Sequence, residues 1–170
     1  KGFGFFASHS NEGIVRGTGL LVSANGDNLS SDIISPKIAS YFSLSKGDSK
    51  QSYPSSQMGS IALLRQSFYD FQYYTKSDLN FTDLSMEAWK SQMHLPRFFQ
   101  TADKLEILRA SKIANEFNSS FIYLGSGNEY EAINPLQKIN PKIVIPINFP
   151  EAYDVSDPYI SRLIPLSQLK

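Results

Sequence analysis

The rhythm of apolar residues changes twice along this chain. Gly4 to Ser8, "GFFAS", is a short apolar run between turn formers, the pattern of a buried strand. Leu20 to Ala24 forms a second run, closed by Asn25-Gly26, a pair that favours a tight hairpin. "DIISPKIASYFSLSKG" continues with β-branched and aromatic residues, and Pro36 should mark an edge or a break because proline cannot donate to a ladder. From Ser55 the spacing becomes helical. Ile61, Leu64, Phe68 and Phe71 share one face, Ser55 or Ser56 can cap its start, and the helix is predicted to end near Lys76. Tyr69, Tyr73 and Tyr74 widen that face, which predicts cover on more than one side. "SDLNFTDLS" reads as a loop, with Ser85 as the cap of a shorter helix, "MEAWKSQMH".

The last half alternates strand and helix. "PRFFQTA" reads as a strand and "DKLEILRASKIANEF" as a helix with Leu105, Leu108, Ile113 and Phe117 near one side. "FIYLGSG" is a strand, "EYEAINPLQKI" a short helix bent or interrupted by Pro135, and "KIVIPINFP" a further strand. Strands that are apolar throughout, separated by helices, imply parallel strands buried on both faces and joined by right-handed crossovers. The expected class is therefore α/β, a parallel sheet flanked by helices, behind a β-rich, glycine-containing N-terminal third.

Composition narrows the function classes. The 170 residues suit a single domain, and the sixteen basic and sixteen acidic residues cancel without clustering. A phosphate-tracking basic face is not expected, so nucleic acid is not an expected partner. No apolar run reaches the roughly 18 residues of a membrane span, and "KGFGFFASHS" does not resemble a signal peptide. Its abrupt start suggests a chain taken from inside a longer protein. With no cysteine, disulfides, zinc–cysteine sites and thiol nucleophiles are excluded.

Candidate chemistry is sparse. The two histidines, His9 and His94, form no H-x-H or H-x-x-x-H pair that could grip a metal. His94 lies at a predicted helix end before Pro96, where a cation suits the helix dipole. His9 follows a predicted strand, a better place for a site, although a surface-loop histidine is the commoner explanation. "GIVRGTG" and "LGSGNE" could each offer backbone N–H groups to an anion, but Tyr130 stands where a dinucleotide turn has its third glycine, and no Gly-Lys-Ser or Gly-Lys-Thr follows. Simple turn chemistry accounts for both stretches. Asp103, Glu129 and Glu131 follow strand ends, as do Asp154 and Asp157; such positions share the rim where α/β sheets bind ligands. Asp103 and Glu129 also suit the first turn of a helix. "SKGDSKQSY", Ser45 to Tyr53, could be a polar loop over a pocket or a plain connector. No G-x-S-x-G elbow is present.

Three stretches resemble the amidohydrolase superfamily, in its imidazolonepropionase-like branch of metal-dependent hydrolases. "YPSSQMGSIALLRQSFYDFQYY" is similar to that branch's Pro-x-x-x-Met-Gly segment and Ala-Leu-Leu-Arg helix. "LPRFFQTADKLEILRASKIANEF" resembles its strand, Asp-rich turn and helix, and "FIYLGSGNEYEAINPLQKINPKIVIPINFP" the strand, helix and strand that follow. "NEGIVRGTGLLVS" looks like the glycine-rich segment before them.

The resemblance implies part of a (β/α) TIM barrel, an internal fragment spanning residues 1–170, since a closed barrel takes about 250 residues. It implies a hydrolase acting on carbon–nitrogen, non-peptide bonds in the full-length parent, through a divalent metal, zinc or iron, that activates water. The first-strand H-x-H would lie upstream and the last-strand aspartate downstream. Within the chain the pattern departs: Gln100 stands where the family has one strand-end histidine, and Gly125 where it has the next. Glutamine is a poor transition-metal ligand and glycine has no side chain. No metal ligand and no cofactor is therefore assigned to this segment, which alone should be inactive.

Two alternatives stand beside the hydrolase: a non-catalytic relative that binds a small molecule or peptide at the strand C-terminal rim, and a purely structural domain. Gln100, Asp103, Ser126, Asn148, Asp154 and His9 are the candidate substrate-binding residues. Exposed sheet edges are expected either to support a homodimer or to be covered by the chain's own termini. Family resemblance is compatible with a periplasmic or exported location, though no residue specifies one.

Overall fold

A computed structural model of the chain describes residues 3–24, 32–77 and 80–146. The predicted Asn25-Gly26 hairpin, Asn148, Asp154 and Asp157 lie outside the described residues. The chain divides into two compact units, Lys1–Phe98 and Phe99–Lys170. The elements of both are mixed α/β.

In the first unit, β1 (Phe5–Ser8), β2 (Val15–Ser23) and β3 (Ile33–Ser43) form an antiparallel meander. β1 is exposed along its whole length, and Phe5 and Phe6 remain open to solvent. Pro36 falls inside β3 rather than ending it. The register jumps from Gly19↔Ala39 to Leu21↔Ser35, so the proline sits in an irregular stretch that has no need of its missing N–H. Gly19 is required for a different reason. A Cβ there would lie 2.4 Å from the Tyr41 ring, so the strand passes directly over an aromatic face.

Helix α1, Gln57–Lys76, begins where Ser56 accepts from Gly59 N, as its sequence predicts. Ser60, Leu64, Phe68 and Phe71 are its buried residues, one stripe at helical spacing. The tyrosines do not widen that stripe. Tyr73 is 65% exposed and Tyr69 nearly half exposed, because both lie off its axis. Tyr74 instead donates from its hydroxyl to Glu87 Oε1 and accepts from Asp83 N, tying the end of α1 to the start of α2 (Leu84–Ser91).

Asp83, not Ser85, caps α2. Its Oδ1 accepts from Ser85 N and Met86 N at 2.8 and 3.1 Å. A carboxylate satisfies two orphan donors and meets the positive helix end, which a hydroxyl two residues later cannot do. Trp89 projects from α2 into an aromatic cluster, stacked on Phe71, edge-on to Phe68 and tilted against Phe42.

β4, Arg97–Gln100, gives its first two residues to this unit and its last two to the second. There, α3 (Lys104–Glu116) follows β4, and β5 (Ile122–Leu124) pairs in parallel with β6 (Lys142–Val144), as the alternating pattern predicts. Between them come a 3₁₀ turn, Glu129–Ala132, and α4, Ile133–Ile139. Pro135 occupies the first turn of α4, where its missing N–H costs nothing. The buried side of α3 is Ile107, Ala110, Ile113 and Ala114, whereas Leu105 is 44% exposed. Of the predicted face of Leu105, Leu108, Ile113 and Phe117, Ile113 is buried, Leu108 and Phe117 are half-buried, and Leu105 is corrected to an exposed position. Phe99, Phe121 and Tyr123 pack together as the aromatic centre of the unit. Among the described residues no helix is long and apolar enough to cross a membrane.

Two outcomes follow from this packing. Phe99 is fully buried, so Phe99→Ala should cost about 3–5 kcal/mol in urea unfolding, while Leu105→Ala should cost less than about 1 kcal/mol. Equal losses would contradict the assigned helix face. Burial also pushes the Tyr123 hydroxyl up from 10.0 to about 12. Below pH 10 this phenol keeps its proton whether the chain is folded or not. Between pH 10 and about 12 the unfolded chain releases it first, so stability should fall with rising pH. In ultraviolet titration, Tyr123→Phe should remove the last tyrosine to ionise and flatten that fall.

Candidate functional site

The C-terminal ends of the second unit's strands lie side by side. Thr101, just beyond β4, donates both N and Oγ1 to the carbonyl of Leu124, the last residue of β5, at 3.1 and 2.8 Å. Gly125 N in turn donates to the carbonyl of Val144, the last residue of β6, at 2.9 Å. One rim thus carries the loops that follow all three strands.

Gln100 ends β4 with an exposed side chain on this rim. Asp103 is the N-cap of α3, accepting from Glu106 N at 2.8 Å. Glu106 reaches back to Ala102 N, also at 2.8 Å, which completes a reciprocal cap. The carboxylate of Asp103 is thereby committed to the helix start, the structural role its position allowed. Lys104 pairs with Glu131 across the same rim.

The loop after β5 is built around Glu129. Its side chain is 1% exposed and accepts from Ser126 N, Gly127 N and Ser126 Oγ at 2.6, 2.9 and 3.2 Å. A buried carboxylate is tolerated only with such donors. The "LGSGNE" stretch does cradle an anion with its backbone, and the anion is the chain's own glutamate. This fixes both glycines. Gly127 has φ +96°, and a Cβ on Gly125 would sit 2.7 Å from Glu129 Oε1. Ser126 Oγ is also held by Asn128 Oδ1 at 2.6 Å. Asn128, 1% exposed, leaves its Nδ2 without a hydrogen-bond partner among the described residues.

The structure therefore places Gln100, at the end of β4, and Asp103 and Ser126, in the loops that follow β4 and β5, on one rim. Asn148 and Asp154 lie outside the described residues. His9 belongs to the first unit, where its ring stacks on Tyr41 with centroids 3.9 Å apart and its Nδ1 bonds Ser10 O at 2.7 Å. Glu129 and Asn128 organise the loop, a coupling to Gly125 not expected from the sequence. Their spacing after "GSG" was the available signal, since a carboxylate five residues past the end of β5 can fold back on the turn's N–H groups. The Ser45–Tyr53 stretch is a bonded loop. Asn11 Nδ2 donates to Asp48 and Lys46 Nζ to Gln51 O, beside a hollow of about 460 Å³ lined by Glu12 and residues 48–51.

Among the described residues no three His, Cys, Asp or Glu side chains gather closely enough to hold a metal ion. Position 125 could not carry a histidine while Glu129 fills the adjacent space. The donor set present here does not fit the metal that the amidohydrolase resemblance implies.

No family of related sequences and no curated protein matches the chain. Its fold is similar to the crystal structure of an amidohydrolase from Thermotoga maritima, with a TM-score of 0.68 over 92% of this chain at 18% identity. The chain spans 46% of that protein's length.

Proposed function

We propose that this chain is a segment of an amidohydrolase-like protein of the imidazolonepropionase-like branch. The longer parent would hydrolyse carbon–nitrogen bonds other than peptide bonds. The single observation that carries this reading is the likeness in fold to the Thermotoga amidohydrolase over 92% of the chain and less than half of that protein. The segment supplies scaffold and a substrate-facing rim, and the metal ligands belong to the rest of the parent. Gln100 would meet substrate, since its amide can both donate to and accept from a carbonyl-bearing group. Ser126 and Asp103 shape the rim through bonds they already make.

A second reading has one observation in its favour. Glu129 occupies the space beside Gly125 that a strand-end histidine would need. On this reading the parent is a non-catalytic relative that binds a small molecule or peptide at the same rim.

Elemental analysis of the parent and of the 170-residue chain, purified identically, separates the two. Near-stoichiometric zinc or iron in the parent and none in the segment is the expected result, together with turnover of cyclic amide or imidazolone substrates. A metal-free, inactive parent that still binds such compounds would transfer the assignment to the binding reading. In an active parent, Gln100→Ala should lower kcat/KM by at least about tenfold, while stability changes by no more than about 0.5 kcal/mol because the side chain is exposed. Unchanged kinetics would remove Gln100 from the site.

A further inference from the structure

Among the described residues β1 pairs with β2 alone, which makes it the outer strand of the first unit's meander. One bond sets the phase of that ladder. Ala24 N donates to Gly4 O at 2.9 Å, and this pair continues the register that sets Phe5 opposite Ser23 and Phe6 opposite Val22. In an antiparallel ladder alternate residues turn both backbone groups toward the neighbouring strand. Gly4, Phe6 and Ser8 therefore direct their N–H and C=O groups to β2. Phe5 and Ala7 aim theirs outward, as an open edge.

Exposed edges are ordinarily blunted by charged side chains, proline or a bulge. From Phe3 to Ser8 there is no charge and no proline, and the pairing with β2 runs without a register shift. The side chains are instead apolar and open, with Phe3, Phe5 and Phe6 80, 62 and 50% exposed. Phe6 heads a row across the sheet, Phe6–Val22–Ile33, in which Val22 is buried and Ile33 is exposed again. At roughly 200 Å² per phenylalanine, these rings leave on the order of 400 Å² of apolar surface on each copy of the chain. Two such patches come to about 800 Å², which with the backbone between them approaches the low end of specific interfaces, about 1,200 Å².

The edge also matches itself. A two-fold axis through Phe6 sets that ring opposite its own copy in a non-hydrogen-bonded pair. Phe5 then faces the second copy's Ala7, and Ala7 the second copy's Phe5, a large residue against a small one, each pair exchanging two N–H···O bonds. Every outward group of Phe5 and Ala7 is thereby used, and no like charges are opposed.

We infer that β1 is a homodimerisation strand, pairing antiparallel with β1 of a second copy about a two-fold axis at Phe6, so that two meanders join edge to edge. The contact needs only the first unit's residues and is independent of the hydrolase assignment. Its small area makes the dimer reversible and concentration-dependent.

The test is sedimentation of the 170-residue chain over a range of concentrations, with circular dichroism and Trp89 emission as checks of folding. The unaltered chain should pass from monomer to dimer and no further. Ala7→Pro removes an N–H that β2 does not use, so it should leave the fold intact. It should raise the dimer Kd by at least about tenfold, the worth of the two interchain hydrogen bonds it deletes. Phe6→Lys should act likewise by setting two ammonium groups opposite one another at the axis. Because the chain has no cysteine, single cysteines report the register. Phe6→Cys should form an interchain disulfide under mild oxidation, since a non-hydrogen-bonded pair holds its Cα atoms about 4.5 Å apart. Phe5→Cys and Ser8→Cys should not, because each is displaced from its own copy by two or four residues, about 7 or 14 Å along the strand. Should Ala7→Pro fail to fold, Phe6→Lys and the cysteine series still decide. A monomer at every concentration, an open-ended oligomer, a dimer that these substitutions leave unchanged, or crosslinking at position 5 or 8 as readily as at 6 would each overturn the proposal.

Discussion

A buried carboxylate sets the terms for the strand-end rim. Removing Glu129 from water carries a penalty of several kcal/mol unless donors replace its hydration. The chain provides them from its nearest backbone, Ser126 N and Gly127 N, with the Ser126 hydroxyl completing the set. The rest of the loop follows from that arrangement. Gly127 must take a positive φ, Gly125 must lack a Cβ, and Asn128 is drawn inside with it. Because Gly125 also donates to Val144, the same carboxylate steadies the junction of β5 with β6. Ser126, attractive as a substrate contact when considered alone, spends its hydroxyl within this loop.

The legible parts of the fold were those decided locally. α1 combined a long apolar stripe with a serine cap, and both its start at Ser56 and its end at Lys76 agree with the pattern. The order of strand and helix after Arg97 was equally plain, since short apolar runs and a capped amphipathic segment leave few alternatives. Where several local solutions competed, tertiary structure chose. Ser85 was the expected cap of α2, and the Asp83 carboxylate prevailed because it serves two amides. On α3, Leu105 looked like core by hydropathy. The reciprocal bonds of Asp103 and Glu106 instead orient the first turn so that Ile107 and the alanines face inward. Pro36 shows the opposite case, a strand breaker absorbed by a register shift that no local rule specifies.

The candidate site was legible in its location and less so in its roles. Rim positions after strands follow from the alternation of elements, and Gln100 ends β4 on that rim. The role of a rim carboxylate depends on what else it can bond. Asp103 meets helix amides and Glu129 meets a glycine turn, so each is consumed by the fold. His9, chosen because it follows a strand, is held by a ring stack on Tyr41, a contact between residues thirty-two positions apart that sequence spacing cannot reveal.

The relation between positions 125 and 129 bears directly on the chemistry available at the rim. A histidine at 125 and the Glu129 carboxylate in its present pose exclude one another, because the Cβ and Oε1 would stand 2.7 Å apart before any imidazole was added. Restoring a metal ligand by changing Gly125 alone would therefore evict a buried carboxylate from three hydrogen bonds and leave two backbone amides unsatisfied, each at about 1–3 kcal/mol. A viable metal-binding version of this rim needs both positions to differ at once. Glycine at position 125 is thus an integral part of how the loop folds, since it leaves the space that the Glu129 carboxylate fills.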